Sequence, residues 1–174
     1  MLVVSEQIFN DTISLISSDL NKDIDNIILN KLKKKYEGLC KDNSFILNNS
    51  INILKRSLGR IETSDNINYI KYDISYKCSN LSPNIGDKID CYVNNKNKMG
   101  IIAYVRINED FRTSDNNFDN SPLIIIIPND IINEGTLNIN DINIEQKLQI
   151  EILGTRIKYR NEKIQVVGKI IEKN

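Results

Sequence analysis

The chain has 174 residues, with 23 basic and 23 acidic side chains, 40% hydrophobic residues and no histidine. The lack of histidine excludes a Ser-His-Asp triad, a histidine-ligated zinc site and imidazole acid–base catalysis, and the zero net charge argues against a protein that holds nucleic acid by bulk electrostatics alone. The length suits one domain or two small ones, and a composition with 33 Ile and 26 Asn favours short strands joined by polar turns.

The first half of the chain is predicted to form a helix laid on an antiparallel sheet. Residues 1–17 have the pattern of one or two short strands, and the following serines and aspartate are N-cap candidates for a helix over about 22–35. Alternating apolar and polar residues then predict three strands, over residues 44–47, 50–57 and 67–78.

The second half is predicted to contain strands almost alone. A polar stretch at 79–84, which includes Pro83, marks a boundary. Five strands follow, over residues 86–97, 99–107, 123–127, 147–159 and 163–173. A long acidic loop (108–121) follows the second strand, and a short helix or loops (128–145) separate the third from the fourth, as in a five-stranded OB barrel. We therefore predict an α+β protein with domains 1–80 and 81–174.

The chain is expected to be intracellular, in a reducing compartment. No apolar run reaches the roughly 18 residues of a transmembrane helix, and residues 1–6 lack the basic and apolar regions of a signal peptide. Cys40, Cys78 and Cys91 are an odd number of cysteines without CxxC spacing, so we expect reduced, mostly buried thiols.

Residues that would indicate an enzyme are few. The paired carboxylates Glu109-Asp110 and Asp115 with Asp119 fall in the predicted polar loop, whereas catalytic carboxylates need rigid placement. The cysteines have no histidine partner, and no Gly-rich phosphate loop is present. We therefore expect no catalytic residue, metal or cofactor. A metal-dependent enzyme that binds its metal ion through the carboxylates of residues 109–119 is kept as an alternative function.

The C-terminal hairpin is the most basic part of the chain. Residues 156–163 contain four cations around Tyr159, and cations interleaved with an aromatic ring are typical of single-strand binding. A charged strand edge that deters aggregation is the other interpretation.

Several short strings, in their order along the chain, resemble one family. Residues 35–40 (KYEGLC) and 44–47 (SFIL) resemble its helix end, acidic-Gly-x-Cys segment and strand. SINILKRSLGRI (50–61) resembles the family's strand with a Gly-Arg-Ile turn, and YIKYDISYKC (69–78) resembles its V-x-Y-x-A strand. Pro83-x-x-Gly86-Asp87-x-Ile89 resembles the P-x-x-G-E-x-V segment that begins the OB domain. Over nearly its whole length the chain is similar to the larger stalk subunit of multisubunit DNA-directed RNA polymerases. That is subunit seven of eukaryotic RNA polymerase II, or E-prime in archaea. The chain most resembles the copies of this subunit that large nucleocytoplasmic DNA viruses encode.

The resemblance implies a ribonucleoprotein-fold-like tip domain that docks on the polymerase core, and an OB domain near the RNA exit path. The implied partners are the two largest core subunits, a subunit-six-type protein and, weakly, nascent RNA, with no membrane. A smaller subunit-four-type stalk protein is a further implied partner, and the sequence leaves open whether one exists. A viral chain would reside in the virion and the host cytoplasm, and a cellular one in the nucleus.

The resemblance places the core-docking surface at two turns of the tip. Its candidate residues are Ser17, Asp19, Lys22, Ser57, Gly59, Arg60, Ile61 and Asp65. Gly38 matches a family glycine near the inter-domain region, which we attribute to backbone packing.

The OB domain departs from the family on its RNA-facing strands. F-G-x-F is frequent there, but this chain has Met99-Gly100-Ile101-Ile102 and so lacks two stacking rings, which predicts weaker and more electrostatic RNA binding. Three tyrosines could compensate or could equally be core or surface rings. The candidate RNA-binding residues are Tyr92, Lys98, Tyr104, Arg106, Arg156, Lys158, Tyr159, Arg160 and Lys163. The alternative function is a free-standing OB-fold RNA-binding module in translation or RNA decay.

Overall fold

The computed structural model describes residues 4–20, 23–107, 111, 115–133 and 139–171. Its strands are β1 (Val4–Ile16), β2 (Cys40–Lys41), β3 (Ser44–Ile46), β4 (Asn52–Arg56), β5 (Arg60–Ser64), β6 (Ile67–Leu81), β7 (Lys88–Asn97), β8 (Gly100–Tyr104), β9 (Leu123–Pro128), β10 (Lys147–Arg156) and β11 (Ile164–Ile170). The helices are α1 (Ile24–Tyr36) and α2 (Asn129–Asn133), and short 3-10 turns occupy Ser17–Asp19 and Ile139–Asp141. No helix in these described ranges is long and apolar enough to cross a membrane.

Strand β6 is the centre of the first sheet. β1 pairs with it antiparallel along one edge, from the Val4–Leu81 pair to the Ile16–Tyr69 pair. β5, β4 and β3 pair in turn along its other edge, and β2 extends the sheet beyond β3. A 15-residue strand spans about 45–50 Å, so β6 links two distant ends of this sheet.

Helix α1 covers one face of this sheet. The Asp23 side chain caps the helix by accepting a hydrogen bond from the backbone N–H of Asn26. Ile28, Leu32 and Tyr36 recur every four residues and are buried. They pack in one cluster with alternate residues of the two long strands, namely Phe9, Ile13, Leu15, Tyr72, Ile74, Tyr76 and Cys78.

The second half of the chain forms a closed five-stranded barrel in the order β7-β8-β9-β11-β10. β9 and β11 pair in parallel, and the other neighbours are antiparallel. Helix α2 lies between the third and fourth strands of the barrel. This is an OB-like Greek-key barrel, and it confirms the prediction of five strands with a short helix after the third.

The barrel core extends into the first sheet. Cys40, Phe45, Leu47 and Leu81 belong to the same buried cluster as the barrel strands. The first sheet and the barrel therefore share one apolar core where the chain passes from one to the other. The division into domains 1–80 and 81–174 remains a prediction.

Two details of the predicted elements need correction. Of residues 59–61, predicted as a turn, Arg60 and Ile61 are the first two residues of strand β5, whose five residues are all exposed. β5 has no buried face, so it lacks the apolar alternation that indicates a strand. Residues 1–17 contain one long strand, β1, and not two short ones.

The three thiols are free and buried, as predicted. Burial raises the pKa of Cys40 and of Cys78 to about 11 and that of Cys91 to about 12. The thiol is therefore the stable form of each.

Candidate nucleic-acid interface and docking surface

The first group of candidate RNA-binding residues forms a closed cluster on the barrel wall. Tyr92 and Tyr104 lie opposite each other on β7 and β8, with ring centroids 5.9 Å apart. The Arg106 guanidinium lies 3.9 Å from the centroid of the Tyr92 ring. The carboxylate of Glu145 accepts from the Arg106 guanidinium and from the Tyr104 hydroxyl, each at 2.8 Å.

These contacts leave few side-chain groups of the cluster free to bind RNA. Tyr104 is only 2% exposed, and its ring meets Phe118 edge-on at 6.3 Å. Burial raises the pKa of the Tyr104 hydroxyl, which stays protonated and donates to Glu145. A base therefore has no free face of Tyr104 on which to stack in this conformation. Of the interpretations that the sequence left open for Tyr104, its burial supports a ring of the core.

Lys163 is connected to this cluster through Phe118. Its ammonium donates to the Phe118 carbonyl oxygen at 2.7 Å and lies 4.6 Å from the centroid of the same ring. Burial lowers the pKa of Lys163, and nearby Asp119 and Glu162 oppose that shift. The Lys163 side chain thus fixes the loop before β9 against the start of β11.

The second group lies at the end of β10 and on the connection from β10 to β11. Among the described residues, Arg156, Lys158 and Arg160 form no ion pair with a carboxylate. By contrast, Arg106 pairs with Glu145, and Lys147 and Lys169 pair with acidic neighbours on adjacent strands. This connection therefore offers uncompensated positive charge.

Tyr159 is the exposed ring of this group. Its side chain is 64% exposed, and the Arg160 guanidinium lies 5.7 Å from the ring centroid. Arg160 adopts a φ of +61°, which reverses the chain next to the ring. This is an aromatic platform beside cations, the combination that single-stranded nucleic acids use.

Lys98 lies apart from both groups, in the turn between β7 and β8. The neighbouring stretch, where the family often has F-G-x-F, presents aliphatic groups: Met99 is 83% exposed. Ile102 lies opposite Ile126 on β9, and Ile126 lies opposite Val167 on β11. Around Met99, Ile102, Ile126 and Val167 the barrel face therefore presents aliphatic side chains where the family often has stacking rings.

The sequence did not indicate the residues that face the second group across a groove. Two adjoining cavities, of about 440 and 200 Å³, share Asn43 and Ile157 as lining residues. The larger one also contacts Asn84 and Arg156, and the smaller one contacts Tyr159. We call this feature the inter-module groove, since one wall comes from residues 40–43 and the other from residues 155–159.

Lys41 closes the inner end of this groove. Its ammonium lies over the Phe9, Tyr36 and Tyr76 rings, at 4.8, 4.2 and 5.4 Å from their centroids, and bonds to the Tyr76 hydroxyl at 3.0 Å. Burial lowers the pKa of Lys41. The side chain thus ties β2 to the aromatic core below it.

The candidate docking residues lie at the far end of β6 from the barrel. Asp65 and Asn66 both have positive φ, +51° and +61°, and form a two-residue hairpin turn between β5 and β6. Ser57 bonds to the backbone of Asp73 at 2.9 Å, and Arg60 pairs with the same aspartate at 3.0 Å. These contacts hold the loop between β4 and β5 on the central strand.

The tip carries the most exposed apolar groups of the first sheet. Leu58 is 88% exposed and Ile61 76% exposed. Gly59 lies between them, and a Cβ placed there would come within 2.6 Å of the Ile70 side chain and 3.0 Å of the Tyr72 ring. Gly59 thus packs closely on β6, whereas Leu58 and Ile61, on either side of it along the chain, are exposed. Leu58 lies within the predicted docking turn, between the candidate residues Ser57 and Gly59.

The first turn of the docking surface is engaged internally. Asp19 pairs with Lys31 at 2.6 Å, and this ion pair lowers the pKa of the Asp19 carboxyl. Ser17 begins the 3-10 turn. Lys22 lies outside the described residues.

The loop carboxylates do not assemble a metal site in the part of the chain that the structure describes. Glu109 and Asp110 lie outside that part. Asp115 and Asp119 line a polar cavity of about 330 Å³ between the barrel and the end of α1, together with Lys163 and Lys34.

No family model matches the chain, and no curated protein matches it in sequence.

Proposed function

We propose that this chain is a non-catalytic stalk-type subunit of a multisubunit DNA-directed RNA polymerase. It docks on the polymerase core through the tip of its first sheet and presents its OB-like barrel near the emerging RNA. The helix-backed first sheet is, on this proposal, the ribonucleoprotein-fold-like tip domain. The viral origin of the polymerase rests on the sequence resemblance alone.

The observation that carries the proposal is the apolar tip. Leu58 and Ile61 are more exposed than any other aliphatic side chains of the described first sheet, and they fall in the segment where the resemblance implies core docking. Contiguous exposed apolar surface is typical of sites that a protein partner covers, and on this proposal Leu58 and Ile61 contribute to one such surface. The polar contacts of Ser57 and Arg60 with Asp73 keep the patch in place.

The architecture supports the same proposal. The long strand β6 leads from the tip through the turn at Gly86, whose φ is +89°, into the first barrel strand. This is the order of parts that the resemblance implies. A fold alone does not define a function, so the argument depends on the tip surface as well.

The second candidate function is a free-standing RNA-binding module. The uncompensated cations Arg156, Lys158 and Arg160 beside Tyr159 favour it. Such a module needs no polymerase, and its RNA affinity is its whole activity.

Affinity capture of the tagged chain from its native cells, with the bound proteins identified by mass, tests the proposal. The stalk function predicts recovery of the two large polymerase subunits in comparable amounts to the bait. Recovery of RNA with ribosomal or RNA-decay proteins, and no polymerase, would favour the free module instead.

A further inference from the structure

We propose that single-stranded RNA binds in the inter-module groove, between the β2–β3 turn and the connection from β10 to β11. This deepens the proposed function, and rests on it, by naming the surface that contacts nascent RNA. It differs from the expectation that the barrel strands β7 and β8 carry the RNA.

The walls of the groove are held together by the main chain. The backbone N–H of Cys40 donates to the Asn161 carbonyl oxygen, and that of Arg160 donates to the Cys40 carbonyl oxygen, both at 2.8 Å. These two bonds join strand β2 to the connection between β10 and β11. The groove is therefore already formed without a ligand, which reduces the entropy cost of binding.

The groove has the groups that a single strand needs. Tyr159 lines it with an exposed ring for base stacking, and Arg156 lines it with a guanidinium that has no carboxylate partner among the described residues. Asn43 and Asn84 bring amide groups, which can donate to and accept from base edges. Base stacking and phosphate neutralisation are the two main contributions to sequence-tolerant single-strand binding.

The charge distribution favours RNA over an acidic peptide and over the other barrel face. Residues 155–160 carry three cations and no acid. The facing wall adds one cation, Lys41, and one acid, Asp42, so the groove as a whole keeps an excess of positive charge. On the β7–β8 wall, by contrast, Arg106 is paired with Glu145 and stacked on Tyr92. The Tyr159 ring beside the cations does not increase the affinity for a peptide of aspartates and glutamates, because their side chains have no ring to stack on it. Every nucleobase, by contrast, can stack on this ring.

The test is fluorescence anisotropy of a labelled 12-nucleotide oligo-uridine titrated with the full chain at low salt. We expect Tyr159→Ala to weaken binding about tenfold or more, since it removes one stacked base, and Tyr159→Phe to retain it. We expect Arg156→Gln combined with Lys158→Gln to make the log–log salt slope less steep by about 1.4, because each phosphate contact on a single strand contributes about 0.7. Lys55→Gln, which removes an exposed cation on β4, is the matched control and should leave both values unchanged.

Three outcomes of the direct RNA titration overturn the inference. They are the absence of RNA binding in the wild type, equal losses for Tyr159→Ala and Lys55→Gln, and a loss on Lys98→Gln or Tyr92→Ala that exceeds the loss on Tyr159→Ala. Binding of a poly-glutamate peptide that competes with RNA and ignores Tyr159→Ala also overturns it.

A parallel capture of polymerase subunits separates this inference from the proposed function. Tyr159→Ala should still recover the core, because the tip is intact. RNA binding at the groove without core recovery would reject the stalk function and retain the groove. Core recovery by a chain that binds no RNA would reject RNA binding at the groove and retain the stalk function.

Discussion

The backbone N–H of Arg160 donates a hydrogen bond to the carbonyl oxygen of Cys40 at 2.8 Å. These residues are far apart in sequence, one in the short strand β2 and the other in the loop between the last two barrel strands. Their contact fixes the barrel against the helix-backed sheet, and it places Tyr159 and Arg156 beside the β2–β3 turn. The position of the candidate RNA site depends on this pairing.

We predict that the Tyr92–Tyr104–Arg106 cluster stabilises the barrel and does not bind RNA. Arg106→Gln removes a surface ion pair and a cation–π contact, so the free energy of unfolding should fall by about 1 kcal/mol. The affinity for oligo-uridine should change less than twofold. Urea unfolding and anisotropy on the same preparation check both values. A tenfold loss of RNA affinity with unchanged stability would reverse this assignment.

We predict a large difference between two glycine substitutions in the barrel. A Cβ at Gly100 would lie 2.1 Å from the carbonyl oxygen of Ile127, and the residue has a φ of +140°, so Gly100→Ala should destabilise by about 3 kcal/mol. Gly154 has no atom within 4 Å of its Cβ position, so Gly154→Ala should be tolerated within about 0.5 kcal/mol. Thermal unfolding of the two variants compares them, and equal melting temperatures would contradict the close packing at the β7–β8 turn.

Asp11 should contribute to stability at neutral pH. Burial raises the pKa of the Asp11 carboxyl. The bonds from the Lys35 ammonium at 2.8 Å and from the Tyr36 hydroxyl together lower that pKa by more than burial raises it, so the net pKa lies below its usual value. The folded state therefore gains stability above the unfolded-state pKa of about 3.9 and loses it as the pH falls through the lower folded-state value.

The corresponding variant is Asp11→Asn. It should lower the free energy of unfolding by about 1–2 kcal/mol at pH 7, and the difference from the wild type should shrink near pH 2. Denaturant unfolding at both values measures this. Asp115→Asn, at an exposed carboxyl of the barrel, is the control. A pH-independent difference would show that the ion pair is not the cause.

The three thiols should be protected in the folded protein. They are buried, and their raised pKa values keep them protonated at pH 8. A disulfide reagent should titrate none of them within minutes in the native state, and all three in guanidinium chloride. Fast native reaction at Cys40, which lines the inter-module groove, would show that the groove opens.

The long elements were predictable from the sequence because their periodicity is local. The four-residue spacing from Ile28 to Tyr36 indicates α1, and the alternation of Tyr72, Ile74 and Tyr76 indicates β6. The five barrel strands follow from the same signal. Strand β5 was not predictable, because none of its residues is buried.

The candidate site was predictable only in part. The cations around Tyr159 are visible in the sequence, whereas the wall that faces them is formed by residues 40–43, which are distant along the chain. The pairing of Arg106 with Glu145 and the burial of Tyr104 are likewise tertiary contacts. A sequence pattern cannot distinguish a free arginine or tyrosine from one that is already engaged.

In the proposed function, the tip docks on a polymerase core. The most direct measurement captures the core with three tagged chains: the wild type, Ile61→Asp and Ile85→Asp. Ile85 is 72% exposed, against 76% for Ile61, but lies on the barrel side of the boundary, so the two substitutions are matched in exposure and charge. We predict that Ile61→Asp loses the two large polymerase subunits and that Ile85→Asp retains them. Absence of polymerase subunits from the wild-type capture, or equal retention by Ile61→Asp, would contradict it.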